Sequence, residues 1–336
     1  MTIIVALILF SIIIFIHELG HFLFAKLSGV KVHEFAIGMG PKVFSIKRDT
    51  EYSLRLLPLG GFVSMEGEDE SSNDPDSFGN KSLPARLSTI LAGPIFNLIL
   101  AVIVLIPVFM SLGVPSKEAI VGELIKSGPA QTVGIETGDK ILKINGKKVG
   151  SWEETVNTVH GSEGKDLNIE LERDGVTKEV KVTPEKKQGT YLIGMSPKME
   201  KNIFRSITYS FETTVNMTKQ MFTFLGQLVT GTVPGGVANS VAGPVGVIGM
   251  VSDAAKTGIV NLLYLASVIS LNLGILNLLP IPALDGWRVL MLIIEGIRGG
   301  KKFDPNKEGF VNLVGFGALM LFMIFITYKD ILRLFQ

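Results

Sequence analysis

The sequence predicts a multi-pass α-helical membrane protein of about four spans, with a water-soluble α+β domain inserted between the second and the third. Three observations carry that prediction. Hydrophobic residues make up 47% of the 336 positions and charged residues 19%, against ~25% charged in an average soluble domain. The mean hydropathy is +0.41. The apolar residues gather towards the two ends of the chain and leave a polar middle that carries strand and hairpin signals, the distribution expected of spans flanking a soluble domain.

The first span is read over Ile3–Leu27. Met1–Phe15 contains no charged side chain, and apolar character resumes after His21 as Phe22-Leu23-Phe24-Ala25. A secretory signal would show a basic start and a small-residue cleavage site after the apolar run; neither is present, and a helix of ~20 residues fits better. Residues 28–86 follow. Lys31-Val32-His33-Glu34-Phe35 and Tyr52-Ser53-Leu54-Arg55-Leu56 alternate apolar and polar side chains, which predicts short strands, with turns at Gly38–Pro41 and Gly60-Gly61. Glu66–Asp76 is acidic and rich in Ser and Asn, a composition that predicts a mobile loop.

The second span is read over Leu87–Leu112, in a segment 87–113. Gly93-Pro94 and Pro107 interrupt it, as membrane helices tolerate when neighbours satisfy the freed backbone groups. The inserted domain is placed at 114–188. Ile120–Leu124, Lys140–Ile144, Leu167–Glu172 and Glu179–Val182 read as strands, and Asn145-Gly146 and Asp174-Gly175 as hairpin turns. Trp152–His160 reads as a short helix with Ser151 as its N-cap. In 189–257, Phe204, Ile207, Phe211, Val215, Met221, Phe224 and Leu228 recur at helical spacing. That pattern suits a helix on the membrane surface or one packed beside the spans. Gly231–Gly249 reads as irregular.

The third span, about Ile259–Leu279 within 258–286, carries the polar Asn272 and Asn277. A basic loop at 287–309 precedes the fourth, about Phe310–Tyr328 within 310–336. Lysines and arginines crowd the loop after the first span and the loop after the third, so both are expected in the cytoplasm and the inserted domain outside it. Lys329 and Arg333 at the far end of the last span oppose that orientation.

The net charge of +1 gives no reason to expect a nucleic-acid partner. With no cysteine in the chain, a metal site must draw on His, Asp or Glu. His17-Glu18-Leu19-Gly20-His21 is an H-E-x-x-H pattern. Residues four apart share one helix face, so His17 and His21 can meet one zinc ion, while Glu18 is offset enough to act as base on an attacking water. An uncharged span makes this placement costly: a Glu near mid-bilayer costs at least ~2.5 kcal/mol, and ionisable groups there are functional by default. Two histidines leave a catalytic zinc one protein ligand short. His33 falls in a strand-like loop and His160 in the inserted domain, so both read as ordinary polar residues. Asp285, directly after an apolar span broken by Pro280 and Pro282, is the better third ligand. Taken alone it also reads as an acid ending a helix at the interface.

His17–His21 in the first span, paired with Asn277-Leu278-Leu279-Pro280-Ile281-Pro282-Ala283-Leu284-Asp285-Gly286, resembles the site-2 protease family of intramembrane zinc metalloproteases, whose pattern is H-E-x-x-H with N-x-x-P-x-x-x-L-D-G. Gly93-Pro94-Ile95-Phe96-Asn97 is similar to the family's G-P-x-x-N. Gly128-Pro129-Ala130 and Gly138–Gly146 are similar to bacterial PDZ domains, which bind peptides by strand addition. The resemblance covers nearly the whole chain.

It implies one zinc ion held by His17, His21 and Asp285, with Glu18 as catalytic base and Asn277 contacting substrate or transition state. Asn97 reads either as support for substrate or site, or as a plain helix–helix hydrogen bond. The strand-like loop resembles a membrane-associated β-loop that guides an extended substrate. The implied partners are the lipid bilayer and single-span membrane proteins already trimmed by another protease; family substrates include anti-sigma factors and signal-peptide remnants. The implied location is the cell membrane, multi-pass, with the PDZ domain extracytoplasmic and the active site towards the cytoplasm. Two departures stand out. One PDZ domain is found where some members have two, and the usual D-G-G reads Asp285-Gly286-Trp287. A membrane-anchored PDZ scaffold with an inert zinc site is the competing reading. Glu18 argues against it, since a structural site has no need of a base.

Overall fold

The computed structural model describes residues 2–68, 72–187, 189–233 and 241–333. In chain order the elements are α1 (Thr2–Leu27), β1 (Val32–Lys47), β2 (Glu51–Met65), α2 (Leu83–Leu112), β3 (Val114–Pro115), β4 (Val121–Leu124), α3 (Pro129–Thr132), β5 (Lys140–Ile144) and β6 (Lys147–Lys148). There follow α4 (Trp152–His160), β7 (Leu167–Arg173), β8 (Val176–Val182), β9 (Glu185–Lys187), β10 (Thr190–Leu192), β11 (Met195–Pro197), β12 (Met199–Glu200), α5 (Ile203–Thr230), α6 (Pro244–Thr257), α7 (Ile259–Asn277), α8 (Asp285–Ile297) and α9 (Pro305–Arg333). The chain forms two compact units. One comprises residues 1–108 and 210–336, the other 109–209.

Among the described residues, four helices are long and apolar enough to cross a bilayer: Ile3–Leu27, Leu83–Leu112, Ile259–Asn277 and Lys307–Arg333. Their boundaries shift from the expected ones. The second helix starts at Leu83 because Pro84 is acceptable in a first turn. The third stops at Asn277, ahead of Pro280 and Pro282, since a residue before proline is pushed out of helical backbone. The fourth runs on to Arg333, because Lys329 and Arg333 are good helix formers whatever their charge.

The expected short strands between the first two helices are instead two long, bent ones. Ala36 lies opposite both Ser53 and Phe62, and Ile37 opposite both Leu54 and Gly61, while Phe44–Lys47 pairs with Glu51–Leu54. The ribbon therefore doubles back, with residues 34–37 between two stretches of β2. The glycines read as turns lie inside the strands as bends: Gly38, Gly40 and Gly60 have φ of 87°, 85° and 82°, backbone that a residue with a Cβ resists. Residues 61–65 pair with 32–37 alone among the described residues, which leaves their other edge open.

The loop expected to be mobile is tied down where it is described. His33 bonds Glu66 at 2.7 Å, Ser72 bonds Glu66 at 2.6 Å, and the Lys31 N–H donates to Asp76 O at 2.9 Å. Phe78 anchors the stretch in a core with Ala25, Val32, Phe35, Ile90 and Leu292. Its acidity and polarity gave no hint of these partners, which come from Lys31, from β1 and from the helices around Phe78. Of the two placements left open for the helix after the inserted domain, residues 210–230 of α5 take the one beside the spans: Met217, Met221 and Leu225 pack on Ala101, Leu271 and Ile275. The stretch expected to be irregular becomes helix from Pro244 onward, with Pro244 in the first turn where its missing N–H costs nothing. Residues 234–240 of it lie outside the described ones.

The second unit holds the α+β domain whose sequence resembles PDZ domains, built around Val121, Ile135, Ile141, Ile144, Leu167, Ile169, Leu171 and Val182, all nearly fully buried. Its four-stranded sheet has the order β6-β5-β7-β8. The alternation of buried and exposed positions along β7 follows the alternation in sequence. Ser151 caps α4 through the Glu154 N–H. The boundary expected at 188, a residue outside the described ones, falls short. β11 pairs with β4 and β12 with β3, so the chain returns after 188 to complete the domain with strands too short to register in the sequence.

Candidate metal centre and active site

Helix α1 presents His17 and His21 on one face, each 7% exposed, and that face meets α2 at glycines. A Cβ on Gly20 would sit 2.5 Å from the Ala92 carbonyl oxygen, and one on Gly93 would sit 2.2 Å from His21 Nε2. Only hydrogens at these positions let the helices come this close and leave room for the imidazole.

Asp285 is brought to the same point by the loop that ends α7. Residues 278–284 turn back sharply, with Ala283 at φ 75° and its N–H donated to Asn312 Oδ1 of α9 at 3.3 Å. Gly286 is the tight point of this turn. A Cβ there would lie 2.3 Å from both the Leu278 and Leu279 carbonyl oxygens. The departure from D-G-G is therefore accommodated: the Trp287 N–H bonds Leu284 O at 3.1 Å and α8 continues through it. Asp285 lies in the first turn of α8, where the helix dipole favours a negative charge.

The three side chains converge. His17 Nε2 lies 3.2 Å from His21 Nε2, and Asp285 Oδ2 lies 3.2 Å and 3.4 Å from the two nitrogens. Three potential ligand atoms thus fall within 4.8 Å of one another. Tetrahedral bonds of ~2.0–2.1 Å place ligand atoms about 3.3–3.4 Å apart, so the spacing fits zinc. The donor chemistry fits too: Asp285 Oδ2 is buried against two imidazole nitrogens with no guanidinium or backbone N–H to pair it, an arrangement that costs free energy unless a cation supplies the missing positive charge.

Around this trio the other polar groups take distinct places. His21 Nδ1 lies 2.9 Å from Thr89 O, and His17 Nδ1 lies 3.2 Å from the Asn97 carboxamide. Asn277 Nδ2 is 3.3 Å from His17 Nε2, on the cluster side of the ring. Glu18 borders a cavity of about 850 Å³ that is also lined by His17, His21, Phe62, Val63, Met65 and Asp285. Its Cγ lies 3.0 Å from where a Gly61 Cβ would sit, so the open edge of β2 passes directly beside it. Asn97 is fully buried behind His17 and is not among the cavity-lining residues. His33 bonds Glu66 on the loop surface, and His160 belongs to the separate PDZ unit.

Sequence reasoning missed Thr89, whose part is played by a carbonyl oxygen that any residue would supply. It also missed the function of Gly93, although a Gly-Pro pair inside a span, beside a histidine-bearing helix, is the signal that could have pointed to it. The buried, two-pronged ion pair of Arg86 with Glu295, at 3.0 and 2.6 Å, joins α2 to α8 over 209 residues and had no local signal.

Comparison with known proteins gives the chain's family. The profile described as peptidase family M50 matches residues 5–322. A zinc-metalloprotease relative from Clostridium acetobutylicum is 44% identical over 335 residues, covering 98% of this chain and 97% of its own. The regulator of sigma-W protease RasP of Bacillus subtilis is 36% identical, covering 99% of each chain, in an alignment of 421 positions. The longer alignment means that the Bacillus protein carries extra residues opposite gaps, whereas the clostridial one matches this chain in length. The probable protease eep of Enterococcus faecalis is 33% identical over 99% of each chain.

Proposed function

This chain belongs to peptidase family M50, and from that membership we propose that it hydrolyses peptide bonds of single-span membrane proteins, within or at the edge of the bilayer, with Glu18 as general base. That it is a membrane-embedded zinc metalloendopeptidase of the site-2 type follows from the family and from relatives named as zinc metalloproteases. The observation that carries the finer reading is the convergence of His17, His21 and Asp285 at a cavity that Glu18 also lines.

His17 and His21 through Nε2, and Asp285 through Oδ2, would hold the zinc. Zinc, when bound, supplies a Lewis acid that polarises the scissile carbonyl and makes an attacking water acidic enough to lose a proton near neutral pH. Glu18 takes that proton as the water oxygen bonds to the carbonyl carbon, then delivers it to the departing amine nitrogen as the C–N bond breaks. Asn277 Nδ2, on the cluster side of His17, is placed to donate to the carbonyl oxygen as it gains negative charge. The substrate backbone must be extended, because a helical peptide bond is shielded by its own hydrogen bonds. The open edge of residues 61–65 offers N–H and C=O groups for such a strand, and the absent side chain of Gly61 lets it lie against Glu18.

In the PDZ domain a groove of about 250 Å³, lined by Leu124, Trp152, Val156, Val159 and Met195, has room for an apolar side chain. It would either bind a newly made chain end or turn away substrates not yet trimmed. The lysines and arginines of the two loops orient the active site to the cytoplasm and the PDZ domain to the other side. Substrates of the anti-sigma-factor or signal-peptide-remnant kind suit a protease with this architecture.

The test is cleavage of a tagged single-span protein by the purified chain in detergent, beside Glu18→Gln, with zinc measured in both. The expected result is a rate lower by about 10²–10⁴-fold in the variant, with equal zinc content. Equal cleavage by both proteins would remove Glu18 from the mechanism. Zinc without cleavage of any single-span substrate would return the chain to the scaffold reading.

A further inference from the structure

We infer that Asn97 is a positioning residue for His17: its Oδ1 accepts a hydrogen bond from the His17 Nδ1–H and so keeps the Nε2 lone pair aimed at the metal. This rests on the zinc reading above and gives the site-support reading of Asn97 a specific form.

The Nε2 edge of His17 is the one that faces the cluster, at 3.2 Å from His21 Nε2 and from Asp285 Oδ2. A neutral imidazole with its lone pair at Nε2 carries its proton on Nδ1. The partner of Nδ1 is the Asn97 carboxamide, placed with its Nδ2 3.2 Å away. With Nδ2 on that side, two N–H groups would oppose each other, and Oδ1 is buried without a partner. The two ends of a carboxamide have the same shape, so hydrogen-bond chemistry decides between them. Once Nε2 binds a cation, only Oδ1 can satisfy Nδ1–H.

His21 has the corresponding arrangement, with its Nδ1 against Thr89 O. Each histidine therefore has an acceptor behind it, one from backbone and one from a side chain. Asn97 is rigid enough to serve. It is fully buried, its backbone carbonyl accepts the Ser270 hydroxyl at 2.8 Å, and its Cβ lies 3.3 Å from where a Cβ on Gly274 would sit. A partner of this kind fixes ring orientation and tautomer, and its loss typically weakens metal binding about 10–100-fold.

The experiment measures zinc affinity of the purified full chain by competition with a chelator, in wild type, Asn97→Leu and Asn97→Asp. Leucine keeps the volume and removes the acceptor; aspartate keeps an acceptor in place. We expect Asn97→Leu to bind zinc about 10–100-fold more weakly and Asn97→Asp to bind as tightly as wild type or tighter. In the zinc-loaded protein, the ring N–H signal of His17 in a ¹⁵N–¹H spectrum should persist in Asn97→Asp and exchange away in Asn97→Leu. A merely structural role would not separate the two variants in this way. Equal weakening in both, or no change in either, overturns the inference. If Asn97→Leu fails to fold, Asn97→Asp decides alone: retained affinity upholds the acceptor, and a tenfold loss refutes it. Absence of zinc from wild type would instead defeat the zinc reading beneath it.

Discussion

Two buried polar clusters, one in each unit, are built on opposite principles. In the PDZ domain Asp139, 1% exposed, is fully neutralised by protein: Arg173 donates through Nε at 2.7 Å and Nη2 at 2.8 Å, and the Glu136 N–H adds a third bond at 2.8 Å. In the membrane unit Asp285 is also buried at its Oδ2, yet its neighbours at that atom are two imidazole nitrogens, with no guanidinium and no backbone N–H. Nearby Arg86 and Glu295 show that this unit, too, can pair buried charges within itself. Among the described residues, the pairs with a guanidinium are closed within the protein, and the proposed ligand trio is the group that could hold a cation from outside. The comparison separates a site from a staple without appeal to motif.

The largest effect that would break the comparison comes from Gly93→Ala. A Cβ 2.2 Å from His21 Nε2 cannot coexist with the present ring position, so His21 must leave the cluster. Zinc content by atomic absorption should fall to background and peptide cleavage with it, while the PDZ domain stays folded by limited proteolysis. Zinc at wild-type level would mean that the site tolerates a displaced ligand and is less constrained than its geometry.

Asp139→Asn should do the reverse. It removes the buried one of Arg173's two charged partners, Glu136 being the exposed other, at a cost of up to about 3 kcal/mol to the PDZ domain, visible as easier unfolding in denaturant with zinc affinity unchanged. The pH dependence sharpens the point. Burial alone would raise the Asp139 carboxyl, but the hydrogen bonds from Arg173 and the Glu136 N–H outweigh it and hold the group below the usual carboxylate range. A depressed folded value means that the stabilisation is fully present above the ordinary value near ~4 and is lost as pH falls through the folded one. Wild type and Asp139→Asn should therefore differ in unfolding midpoint at neutral pH and converge below about pH 4. A gap that persists in acid would assign the effect to packing.

The smallest effect is the control. Gly226 lies in α5 with nothing within 4 Å of a Cβ, so Gly226→Ala should add about 0.5–1 kcal/mol by helix propensity and leave zinc and cleavage alone. Set beside Gly93→Ala, it shows that clearance, and not the loss of a glycine as such, decides the outcome. A comparable loss of zinc in Gly226→Ala would sink that distinction.

Much of the site was legible because its signals are local or written in fixed spacings. His17 and His21 share a helix face by periodicity alone, and Asp285 follows a proline-broken span. The strands of the PDZ domain that alternate over five residues or more were readable, while β11 and β12, of three and two residues, were not. Their conformation comes from the strands they pair with. The doubled ribbon of β1 and β2 was hidden for a related reason: alternation marks a strand but not how many neighbours it has, and glycines inside a bend look like glycines between strands. The loop at 66–76 read as mobile because its partners, Lys31 and His33, lie some forty residues away in sequence.

The sequence by itself determined that this chain crosses a membrane about four times, carries a soluble insert, and holds two histidines and a glutamate on one helix. Hydrophobic run length and helical period set those features, and both are properties of neighbouring residues. Tertiary structure decided which acid joins the histidines, which edge of each imidazole faces the cluster, and why glycine stands at 20, 93 and 286. Those depend on atoms brought within a few ångströms across up to 268 positions, as with His17 and Asp285. No local pattern encodes such a distance; only the close packing of helices around missing side chains sets it.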